Sequence, residues 1–488
     1  MRFSFLVKIA AMVALVQLFH WLFPDGFEGA RVGALAAAWL VLLVVVRRDV
    51  RHRRAAWGAV AVAGLFAAVL FDDPGVLAWV LFWTALSVAA LLPRVRGFDD
   101  AWRWTARLLV QGLSTPFALL SDLKQVGAVR GRGVSPARVA ATLALPVIGG
   151  IVFLALFARA NPVIEQALYT VALPGPWQLA LWAFVAAVAW SAFRPRGIAL
   201  RLAARLPDPE PRIPGTSLPS VLLALGLFNA IFALQNALDI AFLWSGGGLP
   251  DGVSAADYAH RGAYPLIVTA LVAGVLALAM LRPGSASAGN RWARRLVTLW
   301  VAQNLVLVAS SALRTTRYID ESMLTAWRIA ALLWMALVAL GLVLIGWRIL
   351  AGKSVTWLVN ANALAAGVVL SVCSVVDLGA AAAAYNVRAQ QSEAVDLCYL
   401  QQVGDGALLP VIALEQRPMN ANTRLRVRQL RQTLFADLAW RQAQWGSWTP
   451  RGGRRLSAAR AQLGGVVTMP TLPRLRSCYV LDAEQVQS

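Results

Sequence analysis

The sequence predicts an all-α, polytopic transmembrane helix bundle of about eleven spans, followed by a small, mostly helical extramembrane C-terminal domain. Three observations carry this prediction. The 488 residues are 59% hydrophobic and only 14% charged, where a soluble domain carries roughly 25% charged residues. Apolar runs near 20 residues recur up to about residue 377 and then stop, and runs of that length suit a hydrocarbon core about 30 Å thick. The basic residues fall mostly in every second connection between the runs.

In order, the predicted spans are 3–23, 32–46, 55–71, 75–93, 136–158, 177–193, 218–243, 264–281, 291–313, 326–350 and 355–377. The second, third and sixth are short for a bilayer. No small-x-small cleavage site precedes the turn Pro24-Asp25-Gly26, so the first run reads as an uncleaved span rather than a signal peptide. One set of connections, holding for example Arg47 to Arg54 and Arg94 to Arg138, carries 26 basic residues. The alternate set carries 6: Arg31, Arg159, Arg261, Arg314, Arg317 and Arg328. That asymmetry predicts a multi-pass inner-membrane protein with a cytoplasmic N-terminus. With eleven spans, the tail then lies outside. It also explains the formal charge of +21 without nucleic acid, for which no motif is present.

The organisation reads as an N-terminal half of six spans (1–193), a linker (194–217), a second half of five spans (218–377) and the extramembrane domain (378–488). Within the first half, 99–130 alternates Trp, Leu and Arg at helical spacing until Pro116 breaks the run. This predicts one or two interfacial helices on the cytoplasmic leaflet. The linker holds four prolines within Leu206 to Pro214 and reads as a stiff extended spacer. In the tail, Asn422 to Trp448 reads as an amphipathic helix with Leu425, Val427, Leu430, Leu434, Leu438 and Trp445 on its apolar face.

Polar groups inside spans are costly and usually face the bundle interior. The seventh span carries Asn229, Gln235, Asn236 and Asp239. Of these, Asn229, Asn236 and Asp239 share one face by their spacing. The ninth carries Gln303, Asn304, Ser310, Ser311 and Arg314, and the eleventh Asn360 and Asn362. Asp239 and Arg314 fall at similar depth, which predicts an ion pair. The cluster Asn229, Asn236, Asp239, Gln303, Asn304 and Arg314 therefore either bonds helix to helix or lines a polar cavity between spans seven, nine and eleven. A proton relay wants several acids or a histidine at depth; Asp239 stands alone there, and His20 sits near the end of the first span. The loop from Trp244 to Pro265 contains Gly246-Gly-Gly248 and then Asp257, His260 and Arg261 on one predicted turn. It lacks the lysine and helix of a phosphate loop. No His/Cys/Glu spacing fits a metal, so no cofactor is expected. Of three cysteines, Cys373 is in a span. Cys398 and Cys478 lie in the tail, where they are either two free thiols or, if the tail is outside, a disulfide.

Several stretches resemble the bacterial domain-of-unknown-function (DUF) 4153/4173 group. They are Ala158-Arg-Ala-Asn-Pro162, Phe228 to Gln235, Leu249 to Tyr264, Trp327 to Trp334, Ala384-Tyr-Asn-Val387 and Asp396-Leu-Cys-Tyr-Leu400. The resemblance covers about 140–415 and implies a polytopic inner-membrane protein without an assigned activity or catalytic residue. The expected function is a non-enzymatic sensing, scaffolding or envelope component; the alternative is a transporter or lipid-handling permease. Expected partners are the lipid bilayer and a protein at the tail or at loop 244–265.

Overall fold

The computed structural model describes residues 2–129 except 25 and 96, then 146, 149–150, 175–206 except 196, 217–245, 268–281 except 270, and 285–464. All regular structure among the described residues is helical. Nearly all of the predicted fifth span, most of loop 244–265 and Cys478 lie outside them.

Nine described helices are long and apolar enough to cross a membrane. Eight coincide with predicted spans: α1 (Arg2–Leu22), α3 (Arg54–Asp72), α4 (Val76–Leu91), α6 (Pro176–Phe193), α8 (Leu218–Asp239), α9 (Arg291–Ser322), α10 (Ala326–Ala351) and α11 (Val355–Val375). The predicted second span is a 16-residue helix, α2 (Arg31–Val46), and the eighth contributes Leu271–Met280. The ninth apolar stretch, Leu397–Glu415, meets the composition test only. It is two short helices, α13 (Leu397–Val403) and α14 (Leu408–Glu415), broken at Gly404 with φ +71°. Their apolar side chains fill the tail's own core. Hydropathy alone cannot separate such a buried stretch from a span.

The N-terminal half packs around α2, whose Leu35, Trp39 and Leu43 are buried among α1, α3, α4 and α6. Gly33 lets α3 come close: a Cβ there would lie 2.2 Å from the Phe71 nitrogen. At the far end of α2, the buried Arg47 donates to the carbonyls of Ala90 at 2.8 Å and Ala192 at 3.3 Å. It thereby caps the last turns of α4 and α6, where a cation meets the negative end of each helix dipole. The second half packs α8, Leu271–Met280, α9 and α10 around Trp300. Asn290, Thr325 and Ser354 cap α9, α10 and α11, as N-terminal capping residues do.

Two sequence expectations, the break at Pro116 and the end of the ninth span, are corrected here, and the start of the linker is added to. Residues 101–129 form one helix, α5 (Ala101–Val129), that runs through Pro116. It does more than rest on lipid. Gln111 donates to the Ser191 carbonyl at 2.8 Å, and Asp122 accepts from the Trp190 indole at 2.9 Å. These tertiary bonds hold the helix across its proline. The linker begins with a helical segment, α7 (Gly197–Ala204), packed on α5; 207–216, which hold its prolines, are outside the described residues. Finally, α9 runs to Ser322 rather than ending near 313. No Gly or Pro interrupts it, and its added turns carry residues that bond to the end of α8.

The tail is a separate helical core. Helices α12 (Leu378–Ala389), α13, α14, α15 (Ala421–Ala443) and α16 (Pro450–Gln462) bury Leu400, Leu408, Val411, Leu414, Val427 and Leu438. The amphipathic reading of α15 holds for Val427, Leu430, Leu434 and Leu438 but not for Leu425, which is 53% exposed. Trp445 lies past the helix end and packs on Trp21 of α1.

Candidate functional site

The polar residues predicted in spans seven and nine come together as one seam between α8 and α9. Asn229 donates to the Leu225 carbonyl at 2.7 Å and to the Leu296 carbonyl at 3.1 Å. Asn236 donates to the Gln303 carbonyl at 3.1 Å, and Asn304 to that of Trp300 at 2.8 Å. Gln235 donates to Asp239 at 3.0 Å, and Arg314 pairs with the same carboxylate oxygen. Immediately after Asp239 the helix widens into a π turn, Ile240–Trp244. That turn aims the Trp244 indole at Ser310 (3.1 Å) and the Leu243 carbonyl at Arg317 (2.6 Å). Such turns often mark functional positions.

The eleventh span does not join the seam. Asn360 accepts from the Ala101 nitrogen at 2.7 Å and so fixes the start of α5; Asn362 donates back to Leu358 at 2.9 Å. Asp257, His260 and Arg261 lie outside the described residues. Cys398 is disulfide-bonded and Cys373 is free.

A second polar assembly lies where the tail meets the bundle, at the end opposite Arg47 and Arg94. Arg451 on α16 donates to Asp72 at 3.2 Å, Asp73 at 2.8 Å and the Val375 carbonyl at 2.8 Å. Arg454 reaches Asp72 at 2.7 Å, and Arg455 pairs with Asp377. From the bundle side, Arg31 donates to the Leu22 carbonyl at 2.5 Å, and its guanidinium lies 5.3 Å from the Trp445 ring. The Ala30 nitrogen donates to the Trp448 carbonyl at 2.8 Å. Gly29 (φ +69°) makes that approach possible, since a Cβ there would lie 2.6 Å from the Gly446 oxygen.

The second half is gripped too. Asn386 exchanges two 2.8 Å hydrogen bonds with the backbone of Leu324, and the Ala326 nitrogen donates to the Tyr399 hydroxyl at 3.1 Å. Both tail residues belong to the stretches 384–387 and 396–400 that carry the family resemblance; the structure gives them a docking task. Asp72, Asp73, Arg31 and Arg451 were not singled out from sequence. The available signal was an acidic pair in a connection otherwise free of charge, facing an arginine-rich tail.

Burial pushes the Asp377 carboxyl up, but the Ala380 N–H and Arg455 outweigh it and hold the group below the usual carboxylate range. A depressed acid stabilises the folded state above its unfolded pKa of about 3.9, and that contribution is lost as pH falls through the folded value. Asp73 goes the other way: burial raises it, with Arg451 and Arg455 opposing in part. On acidification Asp73 therefore takes its proton first and Asp377 last. Thermal unfolding in detergent from about pH 7 down to 3 should show protonation of Asp73, whose pKa is raised, favour the folded state, and stability then fall as Asp377 takes its proton. Asp377→Asn should remove the later step and lower stability at neutral pH.

Two cavities border this junction. One, of about 490 Å³, is lined by Glu28, Asp73, Asp405, Arg441, Gln442 and Thr449 among others. The other, of about 570 Å³, lies among α1, α2, α4 and α6 and is walled by Trp39, Trp83, Trp182 and their neighbours.

Long apolar helices, buried polar seams between them and a docked extramembrane domain define a polytopic helical membrane protein. The family model described as "Domain of unknown function (DUF4153)" matches residues 58–414. The chain belongs to that DUF4153 family. No curated protein and no solved structure matches it.

Proposed function

We propose that the protein is a non-enzymatic sensing component of a cell inner membrane, in which the tail reads the state of the bundle end it covers. The clamp of Arg451 on Asp72, Asp73 and Val375 carries this reading. It ties an independently packed domain to the ends of α3 and α11 through groups that can separate without unfolding either part. The intramembrane polar groups, by contrast, are largely engaged in bonds between α8 and α9. In this reading the N-terminus is cytoplasmic and the tail extracytoplasmic, as the arginine distribution favours. The disulfide at Cys398 fits an oxidising compartment, with Cys478 as its proposed partner. An epitope tag placed at the C-terminus should be removed by protease from intact spheroplasts. A reduction-dependent mobility shift should vanish in Cys398→Ser. A tag protected until lysis would overturn this placement.

One observation favours a permease instead. The side-chain oxygens of Asn229, Asn236, Gln303 and Asn304, and one oxygen of Asp239, are buried without hydrogen-bond partners. A column of acceptors suits a donor-bearing solute crossing between α8 and α9.

A further inference from the structure

We propose that the two cavities at the tail junction form one binding site for a membrane phospholipid with a primary-amine headgroup. Its acyl chain lies in the aromatic groove, and its headgroup lies in the polar chamber under the tail. This deepens the sensing reading by naming what the bundle end holds.

Phe27 and Trp79 line both cavities, so the apolar and polar compartments share a wall. Only an amphiphile uses both at once. The groove sits among four membrane helices, and two of its lining residues on α6, Trp177 and Phe184, are 76% and 66% exposed. In a bilayer that side faces hydrocarbon, so a lipid chain can enter laterally without crossing water. Both volumes fall in the range of about 300–1,000 Å³ typical of ligand sites.

Charge selects the headgroup. Three carboxylates, Glu28, Asp73 and Asp405, line the chamber against one guanidinium, Arg441. Asp405 is paired with Arg441 at 3.4 Å and Asp73 with Arg451 at 2.8 Å. Glu28 is exposed to the chamber and makes no ion pair among the described residues. It stands next to Phe27, whose ring lies 5.5 Å from that of Trp79. A carboxylate beside aromatic faces is a site for an ammonium group. Arg441 and Gln442, which also line the chamber, provide donors for a phosphate. A purely anionic headgroup would meet Glu28 unfavourably, and a quaternary amine could not donate hydrogen bonds to it.

The test is native mass spectrometry of the full chain. It is extracted from vesicles with equal amounts of phosphatidylethanolamine, phosphatidylglycerol and phosphatidylcholine. The wild type should retain one phosphatidylethanolamine, at least tenfold above either competitor. Glu28→Gln, an exposed change that leaves packing intact, should bring the three lipids to within about twofold of each other, the scatter expected once the ammonium contact is gone. Leu181→Trp, which fills the groove, should abolish retention of all three. Excess soluble glycerophosphoethanolamine should not displace the lipid. Retention that mirrors the vesicle composition would overturn the proposal, leaving only ordinary boundary lipid. So would displacement by the soluble headgroup, or retention unchanged in both variants. The sensing reading fails separately: it falls if the tag is protected from protease, whatever lipid is held.

Discussion

Arg451→Ala should loosen the tail's hold on the bundle while leaving both folded. The guanidinium is 15% exposed and serves two carboxylates and a carbonyl. Removing it takes the ion pair from Asp73, leaves Asp72 with Arg454, and strips the last turn of α11 of its donor. Loss of one partner from a largely buried pair costs about 3–5 kcal/mol; Asp73 is 45% exposed, which places the cost here nearer about 2–4 kcal/mol. At tenfold per 1.4 kcal/mol, the docked-to-free ratio should fall by about 30- to 700-fold. Limited proteolysis around residues 376–396 in detergent would read this directly. Arg454→Ala is the control. That side chain is 65% exposed, and a surface pair contributes no more than about 1 kcal/mol. Arg451→Lys should behave like alanine, because an ammonium on a flexible stem cannot serve three divergent acceptors. Equal protease resistance in wild type and Arg451→Ala would remove the clamp from the argument.

Asp239→Ala should be the most damaging single change inside the bundle. Asp239 and Arg314 are 2% and 6% exposed and lie on adjacent helices. Taking away the carboxylate breaks a buried ion pair, at a cost of about 3–5 kcal/mol. It also releases Gln235, which donates to the same oxygen. Changing both partners, Asp239→Leu with Arg314→Leu, should restore most of the loss, since buried ion pairs are often replaceable by apolar side chains of similar volume. Melting temperature in detergent checks the stability claim, and solute flux in vesicles checks the role. A double variant as stable as wild type with unchanged flux assigns the seam to architecture. Restored stability with lost flux would favour the permease.

These two sites differ in how far they could be read from sequence. The seam was legible because helical spacing put Asn229, Asn236 and Asp239 on one face, and hydropathy set Asp239 level with Arg314. Local periodicity and depth were enough. The same rules failed at α5, where Pro116 signalled a break that Gln111 and Asp122 override through bonds to α6. They failed again at Asn360, whose span was right but whose face turned to α5. The clamp was beyond reach for another reason. Arg451 and Asp72 are 379 positions apart, and no pattern within either segment names the other. Only the docking of a folded domain brings them together.

That separation also fixes an order of events in time. Ribosomes add about 5–20 residues per second, so Asp72 emerges roughly 20–75 seconds before Arg451 exists to meet it. During synthesis the growing chain therefore presents an open, acidic doorway at the ends of α3 and α4. A segment made much later closes it, so the door is hung after the room is built, and whatever occupies the room can enter first.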